Sequence, residues 1–229
     1  MAKRARKRHV QLELPAPRTW GGRRTGAGRK RQWRGRREPH RARPTHLARH
    51  PLHVTVRAAE DLPSLRSFAL ARAIGLALRA AAARPHDRCR LRVVEFSIQD
   101  DHVHLVVEAN DKVDLAHGMR GLNVRLARAV NRELGRRGPF SADRYHARPL
   151  RTPTEVRNAL VYVLHNWRKH SPGAAGFDDR SSARWFAGWT RPPTPPATPP
   201  PVHTPGTWLA RVGWKRHGLI HPDARPAGD

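Results

Sequence analysis

Along this chain, apolar positions recur every second residue in some stretches and every third or fourth in others. "LHVTVRA" (52–58) alternates and is β-branched, which describes a strand. "LPSLRSFALARAIGLALRAAAAR" (62–84) has helical spacing of Leu and Ala, with Pro63 where a first turn tolerates proline. "CRLRVVEFSIQ" (89–99) and "HVHLVVEA" (102–109) read as strands, and the short polar link between them suits a hairpin. "VDLAHGMRGLNVRLARAVNREL" (113–134) is a second helix, and "GPFSADRYHARPL" (138–150) is an extended segment holding a fourth strand. "TPTEVRNALVYVLHNWRKH" (152–170) is a third helix, with Thr152 or Thr154 as cap and Glu155 in its first turn.

The predicted order is β-α-β-β-α-β-α. Its first six elements form the ferredoxin-like α+β pattern, an antiparallel sheet with both helices on one face. The third helix is additional, and it is expected to dock on the open face and carry catalytic groups. Disordered tails are expected to flank this domain. Four regions follow: a basic Gly/Arg-rich arm (1–46), a catalytic domain (47–171), a Pro-rich linker (172–206) and a short module with Trp208 and Trp214 (207–229). The tryptophans can anchor the tail on the core or stack on bases; anchoring is the expectation.

Charge narrows the class of partner. Lys and Arg number 45 against 18 Asp and Glu, a formal net charge of +27. Residues 1–50 hold 17 Lys or Arg against only Glu13 and Glu38. Such a surplus favours a polyanion, nucleic acid first. Arg34, Gly35 and Arg36 suit an AT-rich minor groove, and a solvated counter-charge tail is an equal reading. No apolar run has transmembrane length, no apolar signal segment follows the basic start, and no long basic amphipathic helix favours a membrane surface. Cys89 is the single cysteine, which excludes an internal disulfide framework and a cysteine-rich zinc site. A cytoplasmic, nucleoid-associated protein with no membrane partner is expected, as a monomer or homodimer.

The stretch "QDDHVHLVVEA" (99–109) carries the chemistry. On a strand, His102 and His104 face the same way, while Val103, Leu105 and Val107 face the helices. Two neutral imidazoles on one face can share a divalent metal, Mg²⁺ or Mn²⁺. Alone, in a chain with 15 histidines, the pair more often describes an ordinary polar sheet face. The third helix adds Tyr162 and Asn166 at i and i+4. Laid across the open face, it brings Asn166 to the pair as a third ligand and Tyr162 beside it as a nucleophile. Attack of a phenolate on a DNA phosphodiester gives a 5′-phosphotyrosine and a free 3′-OH, and the retained bond energy makes the reaction reversible. Tyr145, the other tyrosine, sits in an extended segment with no ligand at helical spacing, so it is assigned to structure or DNA contact.

These residues carry a resemblance. "DDHVHLVVEA", followed by "GMRGLNVRLARAVNRELGRRGPFSADRYHARPLRTPTEVRNALVYVLHNWRKH", resembles the REP-associated tyrosine transposases of the insertion-sequence-200-like group. Their His-hydrophobic-His (HUH) motif is met by His102, Val103 and His104, and their Tyr-x-x-x-Asn/Gln helix by Tyr162 and Asn166. The resemblance spans about residues 47–170, and "SSARWFAGW" and "TWLARVGWKRHGLI" are also similar to family tails. Trp167 stands where many relatives carry Pro. The resemblance implies a metal-dependent endonuclease and strand transferase acting on single-stranded or hairpin DNA. Two other classes compete: a non-catalytic basic nucleic-acid-binding protein that keeps the fold, and an RNA-binding protein. The last normally needs aromatic residues on the central strands, where this chain has histidines.

Overall fold

Alternation along the first strand decides what each face of the sheet meets. In the computed structural model, which describes residues 45–83, 91–169 and 175–225, β1 (Leu52–Arg57) buries Leu52, Val54 and Val56 on one side. The opposite side of β1 carries His53, Thr55 and Arg57. Except for Thr45 and His46, the expected basic arm lies outside the described residues. The described residues fall within one unit, 37–229.

The elements come in the expected order. After β1 come α1 (Phe68–Ala82), β2 (Arg92–Ile98), β3 (His102–Glu108), α2 (Lys112–Leu134), β4 (His146–Pro149) and α3 (Pro153–His165). The sheet order is β2-β3-β1-β4, with every neighbouring pair antiparallel. β1 and β2 therefore run parallel with β3 inserted between them, the split βαβ arrangement. The first core lies on the helix side: Val54, Val56, Phe96, Val103, Leu105 and Val107 of the sheet meet Ile74 and Leu78 of α1 and Met119 and Leu126 of α2. Its apolar burial is the main favourable term for this half of the fold.

Helix α1 begins later than its composition predicts. Residues 62–67 are turns, and Pro63 is not in a first helical turn. Tertiary partners outcompete helix propensity here. Leu65 is fully buried and its N–H bonds the Asp100 carbonyl at 2.8 Å, while Arg66 holds Asp178 through two bonds of 3.0 and 2.8 Å. The ends of α2 follow local chemistry more closely. The Asp111 side chain accepts from the N–H groups of Val113 and Asp114, and Gly135 closes the helix at φ 61°.

The third helix covers the second face, as expected. Thr152 is the cap and forms a capping box with Glu155. Val156, Ala159, Leu160 and Val163 of α3 pack with Val94 and Val106 of the sheet in a second core. The C-terminal region contributes to the same core through Phe186, Trp189, Leu209, Trp214 and Ile220. Trp214 and Trp189 are buried, whereas Trp208, at the start of α4 (Trp208–Arg211), is half-exposed beneath Arg216. Residues between these modules lie against β2: the His203 N–H bonds the Val93 carbonyl at 2.7 Å. The carboxylate of Glu108, buried at the end of β3, accepts from Arg92 and from the N–H groups of Gly206 and Thr207 at 2.8–2.9 Å.

Candidate active site

Register brings a polar cluster together on the second face. Thr55 and Ser97 flank His104 across the two ladders, and Arg57 pairs with His102. Because β-strand residues two apart share a face, His53 joins this set. The His102 and His104 rings stand 4.5 Å apart at 84°, with their Nε2 atoms 2.8 Å from each other.

Each ring is anchored by its other nitrogen. His102 Nδ1 lies 2.6 Å from Asp101 Oδ1. His104 Nδ1 lies 3.1 Å from Thr55 Oγ1 and 3.3 Å from His53 Nε2. Asp101 accepts from His102 Nδ1–H, which leaves His102 Nε2 with its lone pair; Thr55, which can donate or accept, serves His104 in either tautomer. Burial, then the charges of His102, His53 and Lys169, push the His104 imidazole down to about 2. His53 is lowered to about 4 by burial and then by Arg148, His146 and His102. For Asp101, burial works in the opposite direction. The hydrogen bond and charge of His102, together with Arg57, still hold its carboxyl below the usual range.

This donor set fits a divalent cation. The two Nε2 atoms converge on one space: a proton on His104 Nε2 bridges them as a hydrogen bond, and with that proton on Nδ1 instead both lone pairs would be open to a cation. The Asp101–His102 and Thr55–His104 bonds are the outer contacts that orient imidazole ligands. Among the described residues, no group of three or more His, Cys, Asp and Glu is disposed to hold an ion.

Tyr162 is brought directly to the pair. Its ring lies edge-on to His104 at 5.0 Å and to His53 at 5.6 Å. Asn166 is buried at the C-terminal cap of α3, one turn beyond Tyr162. Among the described residues its side chain makes no hydrogen bond to either histidine. The helix then tightens into a 3-10 turn, Asn166–Lys169. Lys169 closes that turn, with Nζ 5.0 Å from the centre of the Tyr162 ring. Tyr145 is on the opposite side of the sheet, packed in the first core.

Three members of this site escape a motif-based reading. His53 and Thr55 were visible in "LHVTVRA", whose alternation sets them on one face of the strand. Lys169 stands seven residues after Tyr162, on the same helical face, so spacing places it there, but a lone lysine in a chain this basic carries no motif.

Residues 62–163 match the family model described as "Transposase IS200 like". This segment takes in His102, His104 and Tyr162 and ends before Asn166 and Lys169. A solved structure, described as a REP-associated tyrosine transposase bound to a REP hairpin, is similar to the chain at 14% identity and a TM-score of 0.45, covering 58% of this chain and 74% of that one. No curated protein matches the chain.

Proposed function

We propose that this chain, similar over residues 62–163 to IS200-like transposases, cleaves and rejoins single-stranded or hairpin DNA through Tyr162. The observation carrying this reading is the Tyr162 ring packed against His104, beside two Nε2 atoms 2.8 Å apart. The phenolic oxygen forms a bond to phosphorus while the bond from phosphorus to the 3′-oxygen breaks. The phenol proton passes to solvent, and the departing oxygen takes one up. The 5′ side remains joined to Tyr162. Return of the 3′-OH reverses the step, so rejoining needs no nucleotide triphosphate.

His102 and His104 are the residues that would hold Mg²⁺ or Mn²⁺, with Asn166 supplying a neutral oxygen. Such an ion supplies charge against a non-bridging phosphate oxygen. Asp101 keeps His102 in the tautomer that leaves its Nε2 free, and Thr55 orients the His104 ring. Lys169 places a positive charge beside the Tyr162 ring, where a phosphate must arrive. Arg148 lies toward the same face from β4, opposite His53, and extends that positive field.

The test is denaturing electrophoresis of protein mixed with labelled hairpin DNA and Mn²⁺. A covalent adduct is expected from the parent and from Tyr145→Phe, and none from Tyr162→Phe, which keeps the ring and loses only the hydroxyl. His102→Ala should lose cleavage through the ion site. An adduct that persists in Tyr162→Phe but disappears in Tyr145→Phe would reverse the assignment. A parent forming no adduct with a panel of hairpins and both metals would favour a non-catalytic DNA-binding protein.

A further inference from the structure

The second face holds a polar feature that strand cleavage does not use. A cavity of about 290 Å³ lies between β2, α3 and the C-terminal region. Glu95 and Leu160 line it from the sheet and helix, Trp185 and Phe186 line it from the segment before the Pro-rich stretch, and Arg211 and Lys215 are exposed at its rim. Phe186 stacks on Trp214 at 5.5 Å and 29°, which fixes its plane.

Glu95 is the unusual member. It is buried, and burial raises its carboxyl to about 8 despite the hydrogen bond from Ser182. Ser182 engages one carboxyl oxygen. Among the described residues nothing bonds the other oxygen, on a side chain that lines the cavity. That second oxygen is not sealed in the core but opens on the cavity, where an entering group can reach it. Such groups concentrate where a ligand completes them.

The site is also placed for a substrate strand. Glu95 pairs with Val106, and Ser97 with His104, so the two features occupy successive rungs on one sheet face. Two residues along a strand separate them by roughly 7 Å.

We infer that this cavity binds one unpaired base of the DNA strand, read at its edge by Glu95 and held at its faces by Trp185 and Phe186, with Arg211 and Lys215 against the adjoining phosphate. The inference rests on the reading that single-stranded DNA is the substrate, and it assigns base selectivity to residues that do not touch the cleaved bond. Aromatic faces supply affinity for any base, whereas a buried edge contact discriminates among them.

Fluorescence anisotropy of the full chain with labelled 12-nucleotide oligomers of dA, dC and dT, at one fixed salt concentration, tests it. The parent should separate the best from the worst oligomer by about tenfold. Glu95→Met keeps the volume and removes the polar edge, and should bring the three within about twofold of each other. Glu95→Gln retains a carbonyl and gains N–H groups, and should keep discrimination. Discrimination surviving in Glu95→Met would overturn the inference. So would a parent that binds all three alike yet still forms the Tyr162 adduct with hairpin DNA. A parent that binds no oligomer and forms no adduct overturns both the inference and the DNA reading beneath it.

Discussion

Thr55 holds His104 by the nitrogen that faces away from His102. Thr55→Val keeps the branched shape and removes the oxygen, leaving His53 as the sole neighbour of that nitrogen. Mn²⁺ affinity, measured by titration with electron paramagnetic resonance, should fall by about tenfold or more. An unchanged affinity would remove Thr55 from the site. The His102/His104 pair, and its facing, were legible because alternation on a strand is a strong geometric rule. The contribution of Thr55 depended on register between strands far apart in sequence, which no local pattern specifies. Glu95 was hidden for a related reason: at the β2 irregularity between Val93 and Glu95, alternation fails to predict which way a side chain points. Its titration has a consequence for stability. A carboxyl raised from 4.5 to about 8 on folding binds a proton in the native state that the unfolded chain has already released. Its contribution is complete below pH 4.5 and is lost as pH rises to about 8, with a limiting slope of about 1.4 kcal/mol per pH unit. His203, Arg211 and Lys215 share the cavity lining. Urea midpoints from pH 5 to pH 8 should fall less steeply for Glu95→Gln than for the parent, and parallel curves would show that Glu95 does not titrate in this way.

At the scale of elements, α3 matters most because it presents Tyr162 to the sheet. Its start was readable to within two residues, with Thr152 or Thr154 as cap and Glu155 in the first turn; the structure takes Thr152, paired reciprocally with Glu155, with Pro153 in the first turn and Val156 beginning the buried face. Thr152→Ala should cost about 1 kcal/mol, read as a lowered urea midpoint with an unchanged m-value. No change in midpoint would show that packing alone fixes the start of α3. Its end was less readable. Helical spacing runs through Lys169, yet α3 stops at His165, whose buried ring lies 2.8 Å from the Pro222 carbonyl and 3.2 Å from that of Val161, with one N–H to give when neutral. The premature helix start predicted at residue 62 has the same physical origin. Propensity is local, whereas Leu65 and Arg66 answer to Asp100 and Asp178.

At the scale of the molecule, the formal charge of +27 sets how binding responds to salt. Counterion release makes affinity fall with ionic strength in proportion to the phosphates contacted. Removing residues 1–46, where the surplus is concentrated, should weaken DNA binding and reduce the slope of log affinity against log salt, while the Tyr162 adduct still forms. A slope unchanged by the deletion would exclude the arm from the contact. Among the described residues no helix is long and apolar enough to cross a membrane. The predicted sheet and its two-sided use were legible from periodicity. The aromatic cover was legible in part: Trp214 anchors the tail as expected and Trp208 does not, while Phe186 and Trp189 come from short turns without a repeating pattern.

The bonds that Gly206 and Thr207 make to Glu108 carry a temporal consequence. The strand bearing His102 and His104 is synthesised about a hundred residues before the backbone that fastens its far end. During translation the first core can gather around Val103 and Leu105 as soon as β4 has left the ribosome. The second core waits for Leu209, Trp214 and Ile220, which follow Gly206. A product that stops before Gly206 keeps the histidines, the tyrosine, the helix-side core and Glu95, Trp185 and Phe186, but loses the clasp at Glu108 and the wall of the cavity formed by Arg211, Trp214 and Lys215.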